Sequence, residues 1–278
     1  LVGRLIVAKV GEQIGQQVIP DNRPGAGGNL GLALTAKAAP DGYTMGIATA
    51  SIAVSPALYN DLGYDPVKDL AAVARLTNIP NVLLVHPSVP AKSLRDFINL
   101  AKATPGKLNF GSGGTGTTNH LANELLKYVE KINIVHVPYK GVTQAMMAMM
   151  TGEVDEVVMP VATALPQIKS GKVRALAVLA DKRIATLPAV PTGIEQGVKD
   201  FIMPVWYGMF APAATPKDII NRLNRELTRA LQSKDVVDKL VAMGVDPWPG
   251  TPEQLAELLK TEIERFGAVV RAAKIPKQ

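Results

Sequence analysis

Residues 108 to 121, Leu-Asn-Phe-Gly-Ser-Gly-Gly-Thr-Gly-Thr-Thr-Asn-His-Leu, place four glycines within six positions. A short β-favouring piece, Leu108 to Phe110, precedes them, and Leu121, Leu125, Leu126 and Val129 follow on one side of an amphipathic run. The order predicts strand, glycine loop, helix. Glycine lets the backbone turn sharply and bring N–H groups close to a ligand. Thr117 or Thr118 is placed to cap the helix, whose first N–H groups lack internal partners and whose dipole favours an anion. Such a terminus is an anion site in the making. A turn with no ligand fits the loop alone equally well.

The rest of the chain alternates in the same manner up to about residue 180. The opening helix carries Leu1, Leu5, Ile6, Val10 and Ile14 on one face, with no capping residue and no initiator Met before it. That periodicity leads us to expect a segment ahead of Leu1, whether a leader, a strand or both. A short strand is expected over Gln17 to Pro20, then a second glycine-rich turn, Asp21 to Gly31, and a small-residue helix to about Ala39. Tyr43 to Ala48 reads as a buried strand with Thr49 and Ser51 at its carboxyl end, the edge at which open α/β sheets bind ligands. Further apolar runs cover Leu70 to Leu76 and Asn81 to Val85. Ser93 to Ala103 is a helix with Ser93 and Asp96 as a capping pair.

Ile132 to Val137, Val154 to Met159 and Val173 to Leu179 read as strands, with helices over Gln144 to Met150 and Ala164 to Lys169. This alternation predicts parallel sheets of the βαβ type. A proline-rich passage, Leu187 to Pro216, then carries a crossover strand, Val205 to Phe210, beyond which only helices are expected. One starts at Thr215; another starts at Thr251 with Gln254 at the box position. The organisation predicted is two αβ domains joined by two extended passages, residues 1–85 plus 206–278 and residues 86–205, with a ligand cleft at their interface.

Composition removes several classes of function. With 278 residues, 47% hydrophobic and 19% charged, the chain has the makings of real cores. The net charge of +6 is scattered and aromatics are only 5%, so neither a nucleic-acid surface nor a base-stacking platform is expected. The absence of cysteine excludes disulfides and thiolate chemistry. No apolar run reaches membrane-spanning length.

Gly111 to Gly116 matches the dinucleotide fingerprint G-x-G-x-x-G in the right context. The strand before it is short, however, and Val137-Pro-Tyr-Lys140 stands where a ribose-binding acid is expected. A nucleophile elbow fails because Phe110, not glycine, lies two places before Ser112. His86, His120 and His136 lack metal-ligand spacing and read as structural or capping residues. Asp155 and Glu156, adjacent on a strand, point to opposite faces and read as a salt-bridge partner and a solvated side chain. The methionines of 146 to 150 read as core filling and Trp206 as packing.

Several stretches resemble a known family across essentially the whole chain: Asp21-Asn-Arg-Pro-Gly-Ala-Gly-Gly-Asn-Leu-Gly31, Phe110 to Leu121, His136-Val-Pro-Tyr-Lys-Gly141, Leu165 to Ala177 and Trp206 to Pro216. They are similar to the tripartite tricarboxylate transporter receptors, also called Bug solute-binding proteins. The resemblance implies a class II periplasmic binding protein fold, α/β, with two domains around a cleft. It implies a monomeric receptor without enzymatic activity, cofactor or metal, exported to the periplasm by a leader not present here. Such a receptor closes on a small carboxylate and delivers it to membrane permease subunits. The ligand-facing positions it implies are Thr49 and Ser51 in the first domain. In the second they are Ser112, Gly113, Gly116, Thr117, Thr118, Tyr139 and Met159. Many members carry an acid where Met159 stands, which implies an unsubstituted carboxylate rather than an amino acid. The dinucleotide-dependent oxidoreductase is the alternative.

Overall fold

A computed structural model describes residues 2–23 and 28–277. The chain divides into two compact units, residues 2–78, 206–268 and 275–277 in the first and residues 79–205 and 269–274 in the second.

The first unit contains helices α1 (Val2–Ile14), α2 (Asn29–Ala36) and α3 (Ser51–Leu58), with strand β1 (Gly46–Thr49) between the last two and β2 (Leu70–Ile79) after them. The second unit holds β3 (Asn81–Val85), α4 (Leu94–Ala103), β4 (Asn109–Ser112), α5 (Thr118–Glu130), β5 (Val135–Pro138), α6 (Val142–Met150), β6 (Glu156–Pro160), α7 (Val161–Lys169) and β7 (Arg174–Val178). The chain returns to the first unit in β8 (Val205–Pro212). It ends with α8 (Lys217–Gln232), α9 (Lys234–Ala242), β9 (Asp246–Gly250) and α10 (Pro252–Ala272).

The first unit's sheet has the order β1-β8-β2-β9, with β1 antiparallel to β8 and β2 antiparallel to β9. Its core is Val73, Leu76, Trp206, Met209, Phe210, Leu227, Leu231, Leu255 and Phe266, each all but inaccessible. Ile220, Leu227 and Leu231 recur at helical spacing, so α8 buries one stripe and packs on α1 and β9. Thr251 and Gln254 form the expected capping box: Gln254 N–H donates to Thr251 Oγ1 (3.2 Å) and Thr251 N–H to Gln254 Oε1 (3.0 Å).

The second unit's sheet has the order β5-β4-β6-β3-β7. β4 is parallel to β5 and β6, while β3 is antiparallel to both of its neighbours. Val82, Leu83, Leu84 and Val85 are all 0% exposed, as a strand covered on both faces requires. Ser93 caps α4 by accepting the Asp96 N–H (3.0 Å), and Asp96 reaches back to the Lys92 N–H (3.0 Å).

Six sequence expectations are corrected. Tyr43 to Ala48 is not a buried strand: β1 begins only at Gly46, and Tyr43 is exposed. Of the methionines of 146 to 150, Met147 is exposed and fills no core. Gln17 to Pro20 forms no strand; among the described residues no neighbouring strand pairs with it. The segment after residue 216 is not all helix: β9 pairs with β2 at the sheet edge, where its two prolines are tolerated. The second sheet is mixed: β5, β4 and β6 run parallel, while β3 is antiparallel to both of its neighbours. Glu156 is not solvated but 0% exposed, while Asp155 exchanges hydrogen bonds with Asn109 through both backbones and side chains (2.8 and 2.9 Å) instead of joining an ion pair. Of the second glycine turn, residues 24–27 lie outside the described residues.

Both carboxyl oxygens of Glu156 lack a hydrogen-bond partner among the described residues, as does Asn123 Oδ1 on α5. Burial, reinforced by the charge of Asp155, holds the Glu156 carboxyl well above its ordinary value; the polar Asn123 side chain nearby pulls weakly the other way. The folded chain therefore keeps a proton that the unfolded chain releases above about pH 4.5. The contribution to stability is complete below that ordinary value and falls as pH rises toward the folded one. Urea unfolding between pH 4.5 and 8 should show this decline, and Glu156→Gln, which keeps an uncharged donor, should flatten it. An unchanged slope in the variant would mean that Glu156 is ionised in the fold.

Candidate functional site

The loop after β4 is built by its own side chains. Gly114 has φ +119, a conformation open to glycine and costly for other residues, and Gly116 has φ +82. At Gly113 an added Cβ would stand 3.0 Å from the Val142 nitrogen, so the close approach of α6 requires glycine there. Ser112, 0% exposed, accepts the Gly114 N–H through Oγ (3.1 Å) and shares a 2.6 Å hydrogen bond with His136 Nε2. The Thr117 hydroxyl donates to the Gly114 carbonyl (2.6 Å) and also meets Asn119 Oδ1. Asn119 Oδ1 accepts the His120 N–H (3.1 Å) and, at 3.4 Å, the Gly113 N–H. Gly116 N–H donates to His120 Nδ1 at 3.2 Å.

These bonds decide which donors remain. Thr117 occupies the N-cap position of α5, yet its hydroxyl does not cap a helix N–H, because it is spent on the loop. Among the described residues no acceptor is found for the N–H groups of Thr115, Thr118 and Asn119, nor a partner for the Thr115 and Thr118 hydroxyls. They gather at the positive end of a 13-residue helix. This set can hold an anion by hydrogen bonds to a charged oxygen, without any side-chain cation.

Behind the loop stand three rings in contact, two of them, Phe110 and His136, stacked and the third, His120, tilted against His136. His120 and His136 lie 4.1 Å apart between centroids, and Phe110 is 4.9 Å from His136. Burial, then His136 and Lys127, pushes His120 down to about 3; burial and Lys127 push His136 down to about 4. Both are uncharged at neutral pH. Nδ1 of His120 accepts, so its proton sits on Nε2, 3.8 Å from Glu124 Oε1.

The remaining expected positions of this unit are placed as follows. Tyr139 donates its N–H to the Ser112 carbonyl (2.9 Å) and its phenol to Glu153 (2.8 Å). Met159, near the end of β6, has a fully buried side chain.

In the first unit, Thr49 ends β1 and Ser51 begins α3, and their hydroxyls share a 2.7 Å hydrogen bond. A buried chain supports them: Ser55 Oγ donates to the Ser51 carbonyl (2.8 Å), Asn29 Nδ2 to Ser55 Oγ (2.9 Å), and the Tyr64 phenol to Asn29 Oδ1 (2.8 Å). Asn29 lies in the first turn of α2, so the start of one helix is tied to the start of the next. Sequence reasoning missed Asn29, Ser55 and Thr115; Asn29 and Thr115 each had a signal, a place inside a glycine-rich loop, and Ser55 had none. Among the described residues no group of three His, Cys, Asp or Glu side chains suits a metal, and no helix is long and apolar enough to cross a membrane.

An α/β fold with mixed sheets in two units, each presenting polar donors where a strand ends and a helix begins, is the fold of periplasmic solute-binding proteins. A family model described as the tripartite tricarboxylate transporter family receptor matches residues 2–275, and the chain belongs to that family. Protein BugT of Bordetella pertussis is 36% identical over 273 residues, spanning 98% of this chain and 84% of BugT. Among solved structures, R. palustris Rpa4515 with adipate has a TM-score of 0.90 at 34% identity, covering 100% of this chain and 93% of that one. MatC from Rhodopseudomonas palustris, with bound malate, has a TM-score of 0.86 at 35% identity, covering 97% and 93%.

The dihedral at Gly114 gives a direct check on the loop. An added Cβ there would meet nothing closer than the Tyr139 carbonyl at 3.5 Å, so space is not the obstacle. Gly114→Ala should cost about 1–3 kcal/mol through the backbone alone, read as a lowered melting temperature. A variant as stable as the parent would mean that the loop adopts another conformation in solution.

Proposed function

We propose that this chain is a periplasmic receptor that captures a small carboxylate and delivers it to the membrane subunits of a tripartite transporter. Family membership supports this reading, as do two structural relatives solved with dicarboxylates, adipate and malate. The single observation that carries it is the set of unspent donors at the start of α5: the N–H groups of Thr115, Thr118 and Asn119 and two threonine hydroxyls. A carboxylate is an acceptor-only anion, and this set offers only hydrogen-bond donors and a helix terminus.

Within the proposal Thr118, with the loop N–H groups, engages a carboxylate directly, and Thr49 with Ser51 forms the donor set of the first unit. Ser112, Gly116 and Thr117 act one step back, since their groups hold the loop. Met159 contributes an apolar, buried neighbour and no partner for an amino group. The oxidoreductase reading has no specific observation in its favour beyond the glycine pattern.

A thermal-shift screen of mono-, di- and tricarboxylates against NAD and NADP tests the class; stabilisation by carboxylates alone is expected, and by a dinucleotide alone would overturn it. The division of labour between the threonines is tested by two single variants. Thr118→Ala should weaken carboxylate binding by about 1.5–3 kcal/mol, the usual worth of a hydrogen bond to a charged group, with the melting temperature unchanged. Thr117→Ala should instead lower the melting temperature. Calorimetry showing equal affinity for Thr118→Ala and the parent would remove Thr118 from the site.

A further inference from the structure

The Gly116 N–H group sits at the same helix entrance as the free amides, yet it is already paired with a ring. That ring is His120, four residues on and 4% exposed, so the bond is shielded from water. Its Nδ1 can accept only while it carries no proton. In the tautomer fixed by this bond, a further proton would have to land on Nδ1, the very atom that accepts. Protonation would therefore set an N–H against an N–H and release Gly116.

The surroundings oppose that proton from most sides. The His136 ring, on β5, packs tilted against His120 at 4.1 Å between centroids, so charging either ring raises the cost of charging the other. Phe110, on β4, closes the stack against His136 and offers no charge. On α5 itself, Glu124 Oε1 lies 3.8 Å from His120 Nε2 but also 2.7 Å from Lys127 Nζ, whose positive charge offsets it and opposes a proton on the ring. Ser112, on β4, engages His136 Nε2 and the Gly114 N–H together, which ties the second ring to the same loop. Two uncharged imidazoles thus hold Gly114 and Gly116 in their positive-φ conformations.

We infer that His120 is a positioning residue for the anion-accepting loop: as an uncharged ring it absorbs the Gly116 N–H and fixes the helix entrance. His136 keeps it uncharged by packing against it. The inference rests on the reading that this loop receives a carboxylate, and it gives that site a built-in sensitivity to acid. The ring takes no part in binding itself.

The test uses the whole chain and three variants: His120→Phe, which keeps a flat ring without an acceptor; His120→Asn, whose Oδ1 falls near the position of Nδ1 and does not titrate; and the double variant His120→Asn/His136→Gln, which has neither ring. Hydrogen exchange of the Gly116 N–H, followed by NMR without ligand, reads the loop. Titration with malate and with adipate reads the site. His120→Phe should exchange Gly116 roughly tenfold faster and bind either dicarboxylate roughly tenfold more weakly, the scale of one lost shielded hydrogen bond, while His120→Asn should restore both. In the parent, Gly116 protection corrected for intrinsic exchange should fall as acid titrates the ring signals; in the His120→Asn/His136→Gln double variant it should not.

Equal protection in His120→Phe and the parent would overturn the inference, as would faster exchange with unchanged dicarboxylate affinity. Failure of Asn to rescue would also overturn it. If His120→Phe does not fold, the acid series on the parent and the double variant gives the same decision. Should neither malate nor adipate bind any form, the proposed function fails, and Gly116 exchange still judges whether His120 sets the loop.

Discussion

A glycine loop is useful to a ligand only if something else fixes its shape, and here the Gly116 N–H bond to His120 supplies that constraint. Glycine removes the penalty for positive φ but also adds freedom that folding must take away. Five internal contacts remove it: Ser112 to Gly114, Ser112 to His136, Thr117 to Gly114, Asn119 to Gly113 and Gly116 to His120. Each uses a side chain to absorb a loop polar group. What is left over at the start of α5 is a small set of donors for which no acceptor is found among the described residues, a set an anion could satisfy.

The same economy appears in the first unit with different chemistry. There no glycine loop is within the described residues; the hydroxyls of Thr49 and Ser51 are instead positioned by Ser55, Asn29 and Tyr64. Both donor sets sit where a strand hands over to a helix. Neither contains a lysine or arginine. Under the proposed function, binding by backbone dipoles and hydroxyls would suit a receptor that must also let its ligand go, because a buried ion pair is costly to break.

Much of this was legible in the sequence because it is local. The strand-loop-helix order, the Ser93–Asp96 and Thr251–Gln254 caps and the amphipathic stripe of α8 each depend on residues a few places apart. What was not legible depends on partners distant in the chain. Glu156 looks like an ordinary surface acid until β3, β4 and α5 enclose it. Gln17 to Pro20 has strand composition but no partner among the described residues, and Asp246 to Gly250 has loop composition but finds one in β2. His120 and His136 are sixteen residues apart, and their contact follows from the parallel register that sets Phe110 beside His136. Thr117 misled for the opposite reason: its propensity to cap was real, and a closer acceptor in the loop won.

The central claim, that unspent donors at the start of α5 receive a carboxylate, is tested most directly by amide chemical shifts. Saturating the 15N-labelled chain with adipate or malate should move the Thr115, Thr118 and Asn119 amides most within the loop and leave the Gly116 amide, held by His120, nearly in place. Tight binding with those three amides unmoved would contradict the account and place the carboxylate elsewhere.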